Sequence, residues 1–376
     1  MKKFYHTAVI ILFLVALFGM PACFLLQKDA EFSESENRYL SSTPYMSVDN
    51  ILSGKFMDDT EQYIADQFPG RGFWISCKSD FQRFIGNKEI NAVYLAKDGY
   101  LIEKWLTNEF DEKQLAENIK IINNFAQRHT ELKFSLMLVP TVSMVLSDKL
   151  PYNAPMFDQQ IAYDFVSKNL KCISYIDLQS LFVSHSQERL YYKTDHHWTT
   201  YGAFLAYSAW CEKNGQQADL NEFEVETVTE KFQGTLHSKV LGTHCAFDKI
   251  DIYKRKNEKP YHVEYNYGKV QSDTVYAMEH LSQKDKYQIF LNGNHPEITI
   301  NTPQKNGKHL LIIKDSYANA FVPFLINDYE TIHIIDPRYY NGSIDSYIAD
   351  NKIDECLFLY NIKNFCEDTS FSETLS

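Results

Sequence analysis

Positive charge is in short supply in this 376-residue chain. Lys and Arg number 37 against 49 Asp and Glu, a formal net charge of −12. That balance argues against nucleic acid or anionic lipid headgroups as a main partner, since both reward clustered Lys and Arg. Cysteine and histidine spacings for a zinc or redox site are missing too: neither a CxxC nor an HExxH occurs. No internal repeat, low-complexity tract, or nucleotide or CoA motif stands out. No cofactor is expected.

What is present is an ordinary globular composition, 44% hydrophobic and 23% charged. Aromatics are high, with 25 Tyr and 26 Phe. Such side chains line carbohydrate-handling clefts and also fill β-rich cores. The first residues are set apart from the rest. Lys2 and Lys3 precede a charge-free run from Thr7 to Leu26, long enough to cross a bilayer at roughly 20 residues. Positive charge before the run predicts an N-terminus in the cytoplasm and an exported remainder. The favoured reading is an uncleaved signal anchor over 1–27; cleavage after Ala22 and lipidation of Cys23 compete with it.

A polar stretch, 28–47, reads as a stalk, and the folded domain is expected over 48–376. Leu115, Ile119, Ile122 and Ala126 predict a helix over 112–128. Phe134–Val139, Cys172–Ile176, Leu310–Ile313, Thr331–Ile335 and Cys356–Tyr360 read as strands, with helices over 159–170 and 318–326. Strand–helix–strand units of this length imply α/β architecture with a parallel sheet flanked by helices. Alternating segments within about 217–300 predict antiparallel strands, a β-rich insertion at the edge of the main fold.

Two motifs carry chemistry. Lys314-Asp315-Ser316-Tyr317 follows a buried strand and precedes a helix, where open α/β sheets place their ligands. The amides of Ser316 and Tyr317 would lie at the helix N-terminus, as an oxyanion hole requires. The plainer alternative is a helix cap. Thr194-Asp195-His196-His197-Trp198 supplies what a serine alcohol needs: a base to accept its proton and a carboxylate to orient that base. In an extended loop Asp195 and His197 share a side, and His196 points away. A metal site is the rival reading, but His237, His244 and His295 are scattered and no second cluster completes a ligand set.

Asp195-His196-His197-Trp198 resembles the motif that names the DHHW proteins, which are similar to the alginate O-acetyltransferase family. Glu36-Asn37-Arg38-Tyr39-Leu40, Asp98-Gly99-Tyr100-Leu101 and Asp315-Ser316-Tyr317 fit the same resemblance. It implies an SGNH-hydrolase-like domain outside the cytoplasmic membrane, with motif order circularly permuted because the serine follows the Asp–His pair. Carried over residue by residue, Ser316 is the nucleophile, His197 the base and Asp195 its orienting carboxylate. Where the family pattern has glycine before Asp-Ser, this chain has Lys314, which could crowd the serine or place a cation near an acidic substrate. Candidates for the oxyanion or substrate contacts are Tyr317, Gly293, Asn294, Asn361, Arg338 and Trp198.

The implied function is O-acetylation of a cell-wall or exported polysaccharide through an acetyl-serine. The acetyl group would come from a multispanning membrane acyltransferase. An acetylesterase with the same triad, or a non-catalytic polysaccharide-binding or assembly protein, are the alternatives.

Overall fold

The structure is a computed structural model that describes residues 2–243 and 245–375. The chain divides into two compact units: Met1–Ile90 with His237–Cys245, and Asn91–Leu236 with Ala246–Ser376. The domain expected from residue 48 onward therefore meets a boundary near residue 90.

In the first unit, Phe4–Leu26 is helical, apolar and unburied, long enough to cross a membrane. Three helices follow, α1 (Val48–Leu52), α2 (Lys55–Asp66) and α3 (Arg71–Phe84). Gly70 turns the chain between α2 and α3 at φ +67°, a conformation that costs a glycine little. The stretch expected as an extended stalk is instead folded back. Phe32–Ser33 pairs antiparallel with Arg38–Tyr39, and Asp66 explains why. Its carboxylate is shut away from water, so it gathers donors: Arg38 Nη1 at 3.0 Å and Nη2 at 2.5 Å, and the Ser41 amide at 2.9 Å. Glu36 accepts from Arg38 at 3.0 Å and also pairs with Arg71. The Arg38 guanidinium, burial notwithstanding, holds the Asp66 carboxyl well below the usual carboxylate range.

The second unit is built on an eight-stranded sheet. In chain order its strands are β1 (Lys133–Val139), β2 (Ser174–Asp177), β3 (His262–Tyr265), β4 (Val270–Ser272), β5 (Glu297–Asn301), β6 (His309–Lys314), β7 (Thr331–Ile335) and β8 (Glu355–Asn361). Their order across the sheet is β4-β3-β5-β7-β6-β8-β1-β2. From β7 to β2 every pairing is parallel. The central strands are apolar on both faces because both are covered. Leu310, Ile312, Leu357 and Leu359 face one core, while Leu311, Ile313, Cys356 and Phe358 face the other. Helix α4 (Glu112–Arg128) buries Leu115, Ile119, Ile122 and Ala126 in the second core, as its periodicity predicts. Helices α5 (Gln160–Asn169) and α6 (Thr200–Lys213) complete the layers.

The sheet is mixed rather than parallel throughout. Strands β4, β3 and β5 run antiparallel to their neighbours at one edge. The link 302–308 is too short to carry a crossover helix, so β5 opposes β6 in direction. The region 217–300 is accordingly β-rich, but part of it extends the main sheet. The remainder is a separate ribbon of Phe223–Phe232 against Asp248–Arg255. The helix expected over 318–326 is only α7 (Ala318–Phe321) followed by a 3₁₀ turn, Val322–Leu325. Pro323, which has no N–H to give, sits at that change.

Asp66 gives the first prediction. Asp66→Asn should speed deuterium exchange at the Ser41 amide and across 28–47, with the β6 and β8 amides unchanged. Equal protection in variant and wild type would show that the carboxylate does not hold this segment.

Candidate active site

Three of the predicted residues meet. Ser316 lies just past the carboxyl end of β6, half-buried, between Asp315 and α7. Its Oγ is 2.7 Å from His197 Nε2, and His197 Nδ1 is 2.5 Å from Asp195 Oδ1. The loop carrying the histidine is closed by the Tyr192 amide on the His197 carbonyl at 3.2 Å and the Thr199 amide on the Leu190 carbonyl at 2.8 Å. Buried Asp248 anchors the loop's start, accepting from the amides of Lys193 and Thr194, both at 2.9 Å. Thr199 then caps α6, its hydroxyl accepting from the Gly202 amide at 3.2 Å.

Asp195 fixes the protonation pattern. Oδ1 accepts from the His197 amide at 2.9 Å as well as from the ring, and Oδ2 accepts from the Thr235 amide at 2.8 Å and hydroxyl at 3.1 Å. An ionised carboxylate only accepts, so the His197 proton sits on Nδ1 and bare Nε2 faces the Ser316 hydroxyl. Burial alone would raise the Asp195 carboxyl; the adjacent imidazoles and the His197 and Thr235 donors override it and hold it well below the usual range. Burial, reinforced by His196, keeps the His197 imidazole below its ordinary value despite Asp195. The His197 imidazole is therefore neutral at neutral pH.

His196 does not point away. Its ring lies against that of His197, centroids 3.9 Å apart, and its Nδ1 is 2.7 Å from Thr235 Oγ1. Because that hydroxyl donates to Asp195, it accepts from His196 Nδ1. The three motif residues do bring potential metal-ligand atoms within 4.8 Å of one another. Asp195, however, already accepts four hydrogen bonds, and the Nδ1 atoms of both histidines are taken up as donors, to Asp195 and to Thr235. Among the other histidines, His244 lies outside the described residues.

The remaining candidates fall into different roles. Trp198 is fully buried and touches no open space; its Nε1 donates to the Tyr317 carbonyl at 2.9 Å, tying the two motifs together. Tyr317 is buried too. Its amide, expected as an oxyanion donor, is occupied by Asp315 Oδ1 at 2.9 Å, and its hydroxyl bonds the His196 carbonyl. Within that turn the amides of Ala318 and Asn319 also have backbone acceptors, whereas none is found for the Ser316 amide among the described residues. Asn361, at the end of β8, gives its amide to Asp315 Oδ2 at 2.9 Å and lines a cavity of about 40 Å³ beside His196 and Tyr317.

Lys314 neither crowds the serine nor faces a substrate. It is wholly buried, with Nζ donating to Asn294 Oδ1 at 2.9 Å and Asn319 Oδ1 at 2.8 Å and pairing with Asp336 at 3.4 Å. Burial lowers this ammonium, and Asp336 opposes the shift. Gly293 and Asn294 belong to the same network, since Asn319 Nδ2 donates to the Gly293 carbonyl at 3.2 Å and Asn294 Oδ1 at 3.1 Å. Arg338 forks onto Asp336 at 2.8 and 2.6 Å and lines a different cavity, of about 470 Å³.

Sequence reasoning passed over three contributors. Tyr287 stacks on the His197 ring, centroids 3.8 Å apart and planes 10° from parallel, and its hydroxyl reaches the Ser316 carbonyl at 3.3 Å. Thr235 supplies two of the four donors to Asp195. Gly234 leaves the space Asp195 occupies, since a methyl group there would overlap the carboxylate. The Gln233-Gly234-Thr235 run offered the one signal, a small residue beside a hydroxyl in a polar loop.

Fold and site together define a mixed α/β protein in which a buried Asp–His pair is set against a serine at the carboxyl edge of the sheet. The family model described as DHHW protein matches residues 90–335, more than half of the chain, and the chain belongs to that family. Among solved structures it is similar to a DHHW family protein from Eubacterium siraeum, 22% identical over 76% of this chain and 97% of that one, with a TM-score of 0.63. It is also similar to Bacillus cereus PatB1 bearing a sulfonyl adduct, 23% identical over 75% and 99%, TM-score 0.62. The O-acetyltransferase domain of Pseudomonas putida AlgJ matches at 15% identity over 74% and 93%, TM-score 0.44. At these identities the likeness to the first two is one of fold. No functionally curated protein matches the chain by sequence.

Gly234→Ala should push Asp195 off His197, so the downfield proton resonance of the His197 Nδ1–H bond should vanish while the remaining amide spectrum persists. An unchanged resonance would show that the loop gives way at no cost to the pair.

Proposed function

We propose that this protein is an extracytoplasmic O-acetyltransferase acting on a cell-wall or exported polysaccharide. The observation that carries the reading is the series Ser316 Oγ, His197 Nε2, Asp195, joined at 2.7 and 2.5 Å. Ser316 Oγ attacks the carbonyl carbon of an acetyl ester while its proton passes to His197 Nε2. Asp195 stabilises the imidazolium that forms. The tetrahedral intermediate collapses, and His197 returns the proton to the departing donor alcohol, leaving acetyl-Ser316. A sugar hydroxyl then attacks that ester, gives its proton to His197, and leaves acetylated as Ser316 recovers its proton.

The carbonyl oxygen, negative in each intermediate, needs donors. The Ser316 amide supplies one. Asn294 is exposed, and with its Oδ1 held by Lys314 and Asn319 its Nδ2 hydrogens are left for the second. Lys314 is thus a positioning residue for the Asn294 amide. The order of Asp195 and His197 before Ser316 fits a circularly permuted SGNH arrangement. Helix Phe4–Leu26 serves as a single-pass anchor, placing the site outside the membrane within reach of a multispanning acetyl donor.

Cells carrying Ser316→Ala at normal protein level should lose acetyl groups from the exported polysaccharide; retained acetylation would leave a binding or assembly role. Purified wild type should pass acetyl to an oligosaccharide faster than to water, and the reverse would make it an esterase. The pH profile is a separate test. With His197 held below its ordinary value of roughly 6.5, the base stays unprotonated to lower pH, so the acid limb of kcat/KM should fall below pH ~6.5. A limb above neutrality would contradict the assignment of His197 as the base.

A further inference from the structure

Helix α3 carries an apolar stripe that none of the described residues covers. At 100° per residue, Phe73, Trp74, Cys77, Phe81, Phe84 and the following Ile85 fall within an arc of about 120°. Five of them are 64%, 46%, 61%, 86% and 56% exposed (Phe73, Trp74, Phe81, Phe84 and Ile85), and Cys77 is exposed as well. The opposite side of α3 is committed inward. Ser79 is buried there, with its hydroxyl donating to the Val240 carbonyl at 2.5 Å, and at the stripe's margin Asp80 accepts from the Thr243 amide at 3.1 Å. The helix therefore cannot roll to hide its stripe. Helices α1 and α2 of the same unit also expose apolar side chains, Ile51, Leu52, Met57 and Ile64.

We propose that this face lies in the headgroup–acyl boundary of the outer leaflet, a surface on which the protein rests beside its anchor. The inference builds on the reading of Phe4–Leu26 as a membrane span. The link between span and stripe is short and tied. Phe24 in the last turn of the apolar helix packs on Tyr63 of α2, ring centroids 5.8 Å apart. Tyr63 donates to Asp29 at 2.9 Å, and the Gln67 side chain bonds both the amide and carbonyl of Ala30 at 3.0 Å. The α2–α3 pair is thereby fixed within a few residues of the point where the helix leaves the bilayer.

Composition favours lipid over a protein partner. Trp and Phe are the side chains that interfacial helices bury at the headgroup–acyl boundary. Lys78, exposed along one margin of the stripe, and Lys88 just beyond the helix supply headgroup contacts, as in helices that lie flat on a bilayer. The chain as a whole is acidic, at −12, so a long-range cationic field does not draw it down; insertion of the apolar stripe does.

Tryptophan fluorescence tests this directly. The chain has four tryptophans, of which Trp105, Trp198 and Trp210 are at most 2% exposed, leaving Trp74 as the reporter. The full chain would be reconstituted in nanodiscs of phosphatidylcholine and phosphatidylglycerol, with acyl chains either plain or brominated near the headgroup. Emission should be lower in the brominated discs. Trp74→Phe should abolish that difference, and Phe81→Ser with Phe84→Ser should shrink it while the protein stays in the disc. Protein retained in the disc with equal emission in both lipids would overturn the inference and leave the anchor standing, as when a second copy or another protein covers the stripe. Protein that fails to co-purify with the disc would overturn the anchor and this surface together.

Discussion

A carboxylate removed from water has to be surrounded by donors, and at Asp195 that requirement organises the site. Four hydrogen bonds converge on it, two from His197 and two from Thr235. A buried, unpaired carboxylate would cost several kcal/mol, so the 192–197 loop and the Gly234-Thr235 turn cannot drift apart without exposing or orphaning it. The same constraint dictates which nitrogen of each histidine carries its proton. From that follows the bare Nε2 of His197 aimed at the Ser316 hydroxyl.

The four letters of the family motif each acquire a physical task. Asp195 is the acceptor. His197 bridges that carboxylate to the Ser316 hydroxyl, flanked by Tyr287 on one face and His196 nearby, so that its ring has little freedom to turn. His196 shares the carboxylate through the Thr235 hydroxyl. Trp198 binds the Tyr317 carbonyl and so fixes the distance between base loop and serine turn. Below the serine, Asp315 joins the turn to the end of β8 through Asn361, and Lys314 joins it to Asn294. The parallel half of the sheet supplies the rigid base for all of this, because β6 and β8 are apolar on both faces and packed on both sides.

Much of this was legible in the chain where the signal is local. Helix α4 follows from the spacing of four apolar residues, and strands β6, β7 and β8 from short apolar runs. The Asp195–His197 contact follows from two residues on one side of an extended loop. Features that depend on tertiary neighbours were not legible. The Gln233-Gly234-Thr235 run marks a small residue beside a hydroxyl but not that Asp195 will occupy the space there, and Tyr287 is one of 25 tyrosines until the ring stack is seen. By position Lys314 could crowd the serine or set a cation near an acidic substrate, yet burial turns it toward Asp336, Asn294 and Asn319. The stretch 28–47 looks like a free stalk by composition, because the buried Asp66 that draws Arg38 in lies far along the sequence. The antiparallel edge was foreseen as strands, but its continuity with the main sheet depends on pairings between β5 and β7 that no local pattern encodes.

The central claim is that the alcohol of Ser316 is made nucleophilic by His197. It is tested most directly by incubating the protein with an activated acetyl ester and reading the intact and peptide masses. The account predicts one acetyl group, on Ser316, in the wild type and none in His197→Ala. Label on another residue, or equal labelling of Ser316 in both proteins, would contradict it.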